Sequence, residues 1–379
     1  MAVNLRDMTI RPLARALSRL LFRRVEVQGL DHIPKQGSIL VIANHENNLI
    51  DPMLLFAFTD LRLRFLAKHT LFSHLLVRPL VNLVNAVPVY RPEDGGDPRR
   101  NDRTIDLCAR TLLSADTICV FPEGACHNDP ARRRLKTGAA RIALRAASRE
   151  PAWPVFVLPI GLYYTAKSRF RSSAAVVIGE PIRVRADDVP ESLNQTMAGA
   201  LSGVTLNAAS WEHSRRALRE AEILSGPRAL APGPLERRNR HADALASLTA
   251  TDFPKREDDA VRIESWDNLP EGARGLARAL VLSLPALAGI ILGALPVALM
   301  LGLSGDRGRT PDEPATRRLL AALLFFVPLF AAESFLIGRI AGAWIGLATF
   351  LAAPFATYAA LGCADAWRDV WRARGPSPR

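Results

Sequence analysis

The last third of the chain decides what solvent the protein must meet. Leu276–Leu303 is almost wholly apolar, and Leu319–Ile337 and Ile340–Ala364 follow it. Each run is close to or beyond the roughly 20 residues a helix needs to cross about 30 Å of hydrocarbon. A buried hairpin in a soluble domain explains one or two such runs poorly and three worse. Glu333 and Arg339 interrupt the second half, where charge is expensive unless paired or near an interface. Arg274 and Arg278 before the first span, and Arg368, Arg372 and Arg374 after the last, both favour the cytoplasmic face. Three complete crossings cannot place both ends on one face. Either one run is re-entrant, or the last two form a single tilted or broken span.

Charge narrows the partners. The 379 residues carry 49 Lys and Arg against 37 Asp and Glu, a formal net charge of +12. Such an excess suits nucleic acid, anionic lipid or a phosphorylated substrate. Nucleic acid is the weakest of these, because no zinc-ligand spacing, RNA-binding aromatic signature or helix-turn-helix pattern is present. Cys108, Cys119, Cys126 and Cys363 form no CxxC pair, which favours a reducing compartment. The N-terminus has neither the uninterrupted apolar core nor the cleavage site of a signal peptide. Instead, residues 10–24 (IRPLARALSRLLFRR) put Leu13, Leu17, Leu20 and Leu21 on one helical face among five arginines. A basic amphipathic helix after a proline start can lie in a membrane interface, or pack on its own domain with arginines in water.

Four regions are expected. Residues 1–24 form the basic helix, 25–185 a catalytic domain, 186–272 a helical extension with a connector, and 273–379 a membrane region with a basic tail. Within the second, short apolar runs alternate with helical stretches, the pattern of an α/β layer structure. Strands are predicted at 38–43, 63–67, 84–90, 116–121, 155–161 and 174–179, and helices at 52–59, 70–82, 100–114 and 137–148. The extension reads as helices near 191–224 and 234–248. No internal repeat is visible.

Chemistry concentrates where strands end. The run Ser38–Ala43 leads into Asn44-His45-Glu46-Asn47-Asn48-Leu49-Ile50-Asp51-Pro52, with Asp51 expected as N-cap and Pro52 at the first helical position. A His at a strand end and an Asp at the next helix start can meet across the turn, the carboxylate fixing the tautomer. Taken alone, the two are as well explained by a polar turn and an ordinary cap. Three further stretches accompany them: Ala86–Arg91 with Pro92-Glu93-Asp94, Val120–Asn128 continuing through Leu135–Ala140, and Val155–Leu162.

In order and spacing, these stretches resemble the four sequence blocks of the glycerolipid acyltransferases, the glycerol-3-phosphate and 1-acylglycerol-3-phosphate acyltransferases. The resemblance spans about residues 25–183. Two departures stand out: five residues rather than four separate His45 from Asp51, and Ala125-Cys126-His127 follows Glu123-Gly124 where Thr-Arg-Ser is usual. With Lys167–Ser172 and Val204–Ala208, these departures look like the fungal-type glycerol-3-phosphate/dihydroxyacetone-phosphate acyltransferase subgroup.

The resemblance implies an α/β acyltransferase domain, a mixed sheet flanked by helices, with a helical extension and C-terminal transmembrane helices. It implies acyl transfer from acyl-CoA or acyl carrier protein to a hydroxyl of glycerol 3-phosphate, dihydroxyacetone phosphate or 1-acylglycerol 3-phosphate. No cofactor or metal is then expected. An alcohol needs a base as it attacks a carbonyl, and His45 fits that role with Asp51 behind it. Arg91 and Lys136 would bind the acceptor's phosphate, Glu123 its hydroxyls, and Gly124 would admit close backbone approach. Pro159 and Gly161 would shape the acyl or pantetheine groove. Arg132-Arg133-Arg134 would meet anionic groups or stay solvated, and His127 would support the acceptor site or only bond the turn. Cys126 is not expected to be a nucleophile. The expected setting is the cytoplasmic leaflet of a membrane, with lipids as partners and a homodimer left open. The rivals are acylation of another lysophospholipid or an aminolipid, and a lipid-binding protein without catalysis.

Overall fold

The computed structural model describes residues 5–225, 233–247, 272–303 and 313–374, except 74, 76–77, 85, 91–94, 96, 98–99 and 115. The chain forms two compact units. One comprises residues up to Arg15 with Glu26–Tyr163 and Ala175–Ser214; the other comprises Ala16–Val25, Tyr164–Ala174 and residues from Arg215 onward.

The first unit is organised around β2 (Ser38–Ala43), buried at every position. An unbroken apolar run suits a strand covered on both faces by helices. β2 lies between two parallel neighbours, β5 (Thr117–Val120) and β6 (Val155–Tyr164), with Leu40 opposite Ile118 on one side and Val157 on the other. The remaining strands are β1 (Phe22–Gln28), β3 (Leu63–Lys68), β4 (Val87–Val89), β7 (Ser172–Ile178) and β8 (Ile182–Val184). Their order is β1-β7-β6-β2-β5-β3-β4, with β8 antiparallel to β6. The sheet is thus mixed, as expected. Helices α4 (Asn101–Leu113), α5 (Gly138–Arg149) and α6 (Pro190–Val204) pack against β2 and one another. Because β2, β5 and β6 run parallel, their carboxyl ends open on one edge, where α/β folds place ligands.

Three expectations are corrected. Helix α1 runs Leu5–Leu21 with Pro12 inside it, and the chain turns to strand at Phe22, where a helix was expected to residue 24. Val25 and Val27 alternate with polar residues, and pairing with β7 makes that alternation decisive. Residues 70–82 give a 3₁₀ turn, His69–Phe72, before α3 (Arg78–Leu83). The long helix expected near 191–224 breaks into α6 and α7 (Trp211–Ser225). At the break Asn207 bonds Thr205 Oγ1 at 3.0 Å through Nδ2, and its Oδ1 accepts the Arg132 N–H at 3.0 Å.

Arg11 and Arg15 of α1 are employed within the unit. Helix α2 (Ile50–Phe58) ends with carbonyls that have no helical partner. Arg11 donates to Phe56 O and Leu61 O, each at 2.9 Å, and to Thr59 O; Arg15 donates to Ala57 O at 2.7 Å. Two guanidinium groups also suit the negative end of the helix dipole. Leu13 of the apolar face stays half exposed.

In the second unit, α8 (Pro234–Ser247) precedes α9 (Gly272–Leu303), α10 (Glu313–Ala341) and α11 (Ala343–Arg374). The last three contain stretches long and apolar enough to cross a membrane: Pro285–Gly302, Pro314–Ala341 and Ala343–Trp367. The last two runs are therefore separate helices, each of spanning length. Only Gly342, left-handed at φ 106°, divides them. Val281, Ile291, Phe335, Ile340, Trp344 and Phe355 point outward, as lipid-facing side chains do. Small residues allow close helix packing: a methyl group at Gly289 would lie 1.8 Å from the Ala356 carbonyl oxygen.

Residues Tyr164–Ala174 belong to this unit. Phe170, with Leu17 and Leu20 of α1, packs on the cluster of Met300, Ala321 and Ala322. Arg171, left-handed at φ 62°, is buried and donates from Nε to Asp365 Oδ2 of α11 at 2.9 Å. It also reaches the carbonyls of Arg19 and Phe22. Within the Lys167–Ser172 stretch, then, Arg171 has a partner inside the protein.

Candidate active site

The site grows from the end of β2. Asn44, the first residue past the strand, clamps β6: its Oδ1 accepts the Leu162 N–H at 2.7 Å, and its Nδ2 donates to Leu162 O at 3.0 Å and Glu46 Oε1 at 2.9 Å. His45 follows on a fixed backbone. The loop turns through Asn48, left-handed at φ 37°, and Ile50 N–H closes it onto Asn47 O at 2.8 Å. Asn tolerates that conformation better than most residues.

Asp51 does not cap the helix, contrary to expectation. Helix α2 begins two residues earlier than expected, at Ile50, with Leu49 at the cap position. The Asp51 carboxylate turns back, and its Oδ2 accepts the N–H of Glu46 at 2.7 Å, that of Asn47 at 2.8 Å and Nδ1 of His45 at 2.8 Å. Its side chain is wholly buried, whereas that of His45 is 19% exposed. Two backbone amides and the imidazole thus fix the position of this buried carboxylate oxygen. With its proton on Nδ1, the imidazole keeps a lone pair on Nε2. The ring stacks on Phe121, at the end of β5, with centroids 4.1 Å apart.

The second turn follows β5. Gly124 is left-handed at φ 82°, and its N–H donates to Phe121 O at 3.0 Å. A methyl group at Gly124 would lie 2.6 Å from Cε of Lys136, whose exposed side chain crosses it. Lys136 N–H donates to Pro122 O at 2.8 Å, just before α5. Glu123 is fully buried; its Oε2 meets His127 Nε2 and accepts the Arg133 N–H at 2.6 Å. His127 joins the two turns, because its backbone N–H donates to His45 O at 3.2 Å.

Arg91 lies outside the described residues. Its strand, β4, ends at Val89, and Asn101 holds the exit by accepting Tyr90 N–H at 3.0 Å and donating to Tyr90 O at 2.7 Å. The three-arginine run is largely tied down. Arg132 Nε donates to Ser202 Oγ and Arg133 Nε to Asp129 Oδ2, each at 2.5 Å, while Arg134 is exposed. Arg133 is held further toward its charged form by that bond with Asp129 and by nearby negative charge. Gly161 serves packing: a methyl group there would lie 1.9 Å from the Val204 carbonyl oxygen of α6.

The cysteines separate into two kinds. Burial pushes the Cys108 thiol up to about 12 and raises Cys119 further, the Asp51 charge adding to the latter. Both are inert as nucleophiles. Cys126 is partly exposed, and its sulfur accepts the Asn48 N–H at 3.5 Å.

Asn44, Phe121 and His127 are the residues whose part sequence reasoning missed or left open. A polar residue directly closing an apolar strand was the available signal for Asn44. No local signal tells that Phe121 lies beside His45.

Residues 24–163 match the family model described as Acyltransferase. Glycerol-3-phosphate O-acyltransferase 2 of Saccharomyces cerevisiae is 43% identical over 84 residues, 22% of this chain and 11% of the yeast protein. A chloroplastic 1-acyl-sn-glycerol-3-phosphate acyltransferase of Brassica napus is 23% identical over 163 residues, 43% of this chain and 44% of the plant protein. The crystal structure of the 1-acyl-sn-glycerophosphate acyltransferase from Thermotoga maritima aligns with TM-score 0.42 and 24% identity, covering 52% of this chain and 78% of that one. The chain thus spans about a tenth of the yeast relative and under half of the plant one. The glycerolipid acyltransferase resemblance read from the sequence is borne out for this domain.

Proposed function

We propose that the chain transfers a fatty acyl group from acyl-CoA, or from acyl carrier protein, to a hydroxyl of a glycerol phosphate acceptor. That acceptor is glycerol 3-phosphate, dihydroxyacetone phosphate or 1-acylglycerol 3-phosphate. The observation that carries this reading is the 2.8 Å contact between His45 Nδ1 and the buried Asp51 carboxylate. Nε2 of His45 takes the hydroxyl proton as the oxygen attacks the thioester carbonyl. The tetrahedral intermediate then expels the thiolate, which receives that proton from the imidazolium, so ester and thiol form and His45 is restored. Asp51 stabilises the imidazolium between the two transfers.

Arg91 and Lys136 neutralise the acceptor's phosphate, one as a planar fork and the other as a point charge. Glu123 accepts from an acceptor hydroxyl. Helices α9–α11 keep the catalytic residues at a membrane surface, on the cytoplasmic side, where the acylated product partitions into lipid.

The test uses full-length protein purified in detergent, oleoyl-CoA and a panel of the three acceptors. The expected result is acceptor-dependent release of free CoA with formation of an ester. His45→Ala should lose about 10²–10⁴-fold in turnover, and Cys126→Ser should remain active. An active His45→Ala enzyme beside an inactive, folded Cys126→Ser enzyme would replace direct attack with a thiol intermediate.

A further inference from the structure

The acyl-transfer scheme gives His127 no task, yet its geometry is closely specified. Its side chain is only 4% exposed, and its Nδ1 accepts the Asp129 N–H at 3.2 Å. A ring nitrogen that accepts an N–H carries no proton of its own, so the ring proton sits on Nε2. Nε2 therefore donates to Glu123 Oε2, the oxygen that also accepts the Arg133 N–H. The other oxygen of that carboxylate, Oε1, is buried and has no hydrogen-bond partner among the described residues. An unsatisfied buried carboxylate oxygen is costly, and a ligand hydroxyl is a donor that would satisfy it. Solvent does not reach Oε1, so an acceptor must displace a side chain to meet it. The exposed Lys136, laid across the adjacent Gly124, is a flexible neighbour.

We propose that His127 is a positioning residue: it holds Oε2 of Glu123 so that Oε1 receives the acceptor hydroxyl that is not acylated. The inference rests on the acyl-transfer reading above and sharpens it. His45 needs only the attacking hydroxyl, so a second carboxylate aimed at the acceptor calls for a second hydroxyl. Glycerol 3-phosphate has two. Dihydroxyacetone phosphate and a 1-acylated glycerol phosphate have one each. The acceptor class assigned is therefore a phosphate monoester bearing two hydroxyls.

Full-length enzyme in detergent, with oleoyl-CoA, is assayed on glycerol 3-phosphate and on 3-hydroxypropyl phosphate, which lacks the middle hydroxyl. The wild type should prefer the diol by about tenfold to a hundredfold in kcat/KM, as expected for a hydrogen bond to a charged group. His127→Gln keeps a donor near the Nε2 position, whereas His127→Asn keeps an acceptor near Nδ1 but falls short of Glu123. The Gln variant should retain most of the preference. The Asn variant should lose it through a raised KM for glycerol 3-phosphate, with the oleoyl-CoA KM unchanged. Equal behaviour of the two variants, rescue by Asn alone, or a Gln variant that cannot fold overturns the proposal, since each marks a role in the turn only. Wild-type activity without preference for the diol overturns it as well. If no phosphate acceptor is acylated by the wild type, the acyl-transfer reading itself is at fault.

Discussion

Asp51→Asn separates the charge of the Asp51 side chain from its shape. The carboxylate oxygen Oδ2 accepts from Glu46 N–H, Asn47 N–H and His45 Nδ1 at 2.7–2.8 Å, and an Asn oxygen at the same place can keep all three bonds. The ground state should survive, so KM for both substrates should stay close to wild type. What disappears is the negative charge facing an imidazolium that exists only during the reaction. With both charges spread over their groups, the separation is about 4 Å, and an effective dielectric constant near 20 gives about 4 kcal/mol. Part of that remains as dipolar attraction to the amide oxygen, leaving a loss of about 3 kcal/mol, or roughly 10²-fold in kcat. Initial rates of CoA release at saturating acceptor measure it, with thermal unfolding as the control for folding. The double variant with His45→Ala should be hardly slower than His45→Ala alone, because the two residues act as a unit. If Asp51→Asn keeps kcat within about threefold of wild type while folding normally, the carboxylate is a structural clamp for the loop and the base hypothesis loses its support.

Three other outcomes are expected. Arg91→Ala should raise the acceptor KM and leave the acyl-CoA KM alone, with Arg91→Lys recovering only part, as steady-state kinetics on each substrate will show. Arg171→Met strands the buried Asp365 carboxylate and should cost about 3–5 kcal/mol, whereas adding Asp365→Leu should restore much of it; detergent-solubilised unfolding curves compare the three proteins. The Asp106 carboxyl is held below its ordinary value of 3.8, first by the hydrogen bond from Arg149 and then by the charges of Arg149, Arg110 and Arg145, with burial opposing. A lowered folded value means that its contribution is present above 3.8 and lost as pH falls through the lower folded value. Asp106→Asn should therefore reduce Tm slightly at neutral pH, and the difference should close at acid pH.

How much was legible depended on whether the signal was local. Strand β2 was predicted with its observed bounds because Ile39–Ala43 is apolar at every position and a turn signal precedes the run. Helices α4 and α5 fell within a residue or so of expectation for the same reason: their burial follows from their own periodicity. Strand β1 was misread as the end of a helix, since Arg23-Arg24-Val25 has no strong preference until β7 lies alongside. The break between α6 and α7 was missed because Asn207 finds Arg132 across seventy-five positions.

The sequence by itself determined which parts of the chain must leave water, which apolar runs become buried strands, and which residue types stand at the strand ends. Those properties are written in composition and spacing over a few residues. Only the tertiary structure decided partnership. It made Asp51 a carboxylate turned back on His45 instead of a cap, set Phe121 under the imidazole, spent Arg11 and Arg15 on the end of α2, and paired Arg171 with Asp365. It also made His127 the link between two turns that strand order brings together from about eighty residues apart. The reason is physical. A side chain's burial is largely set by its own neighbours in sequence, but a hydrogen bond is set by whichever strand the sheet places next to it.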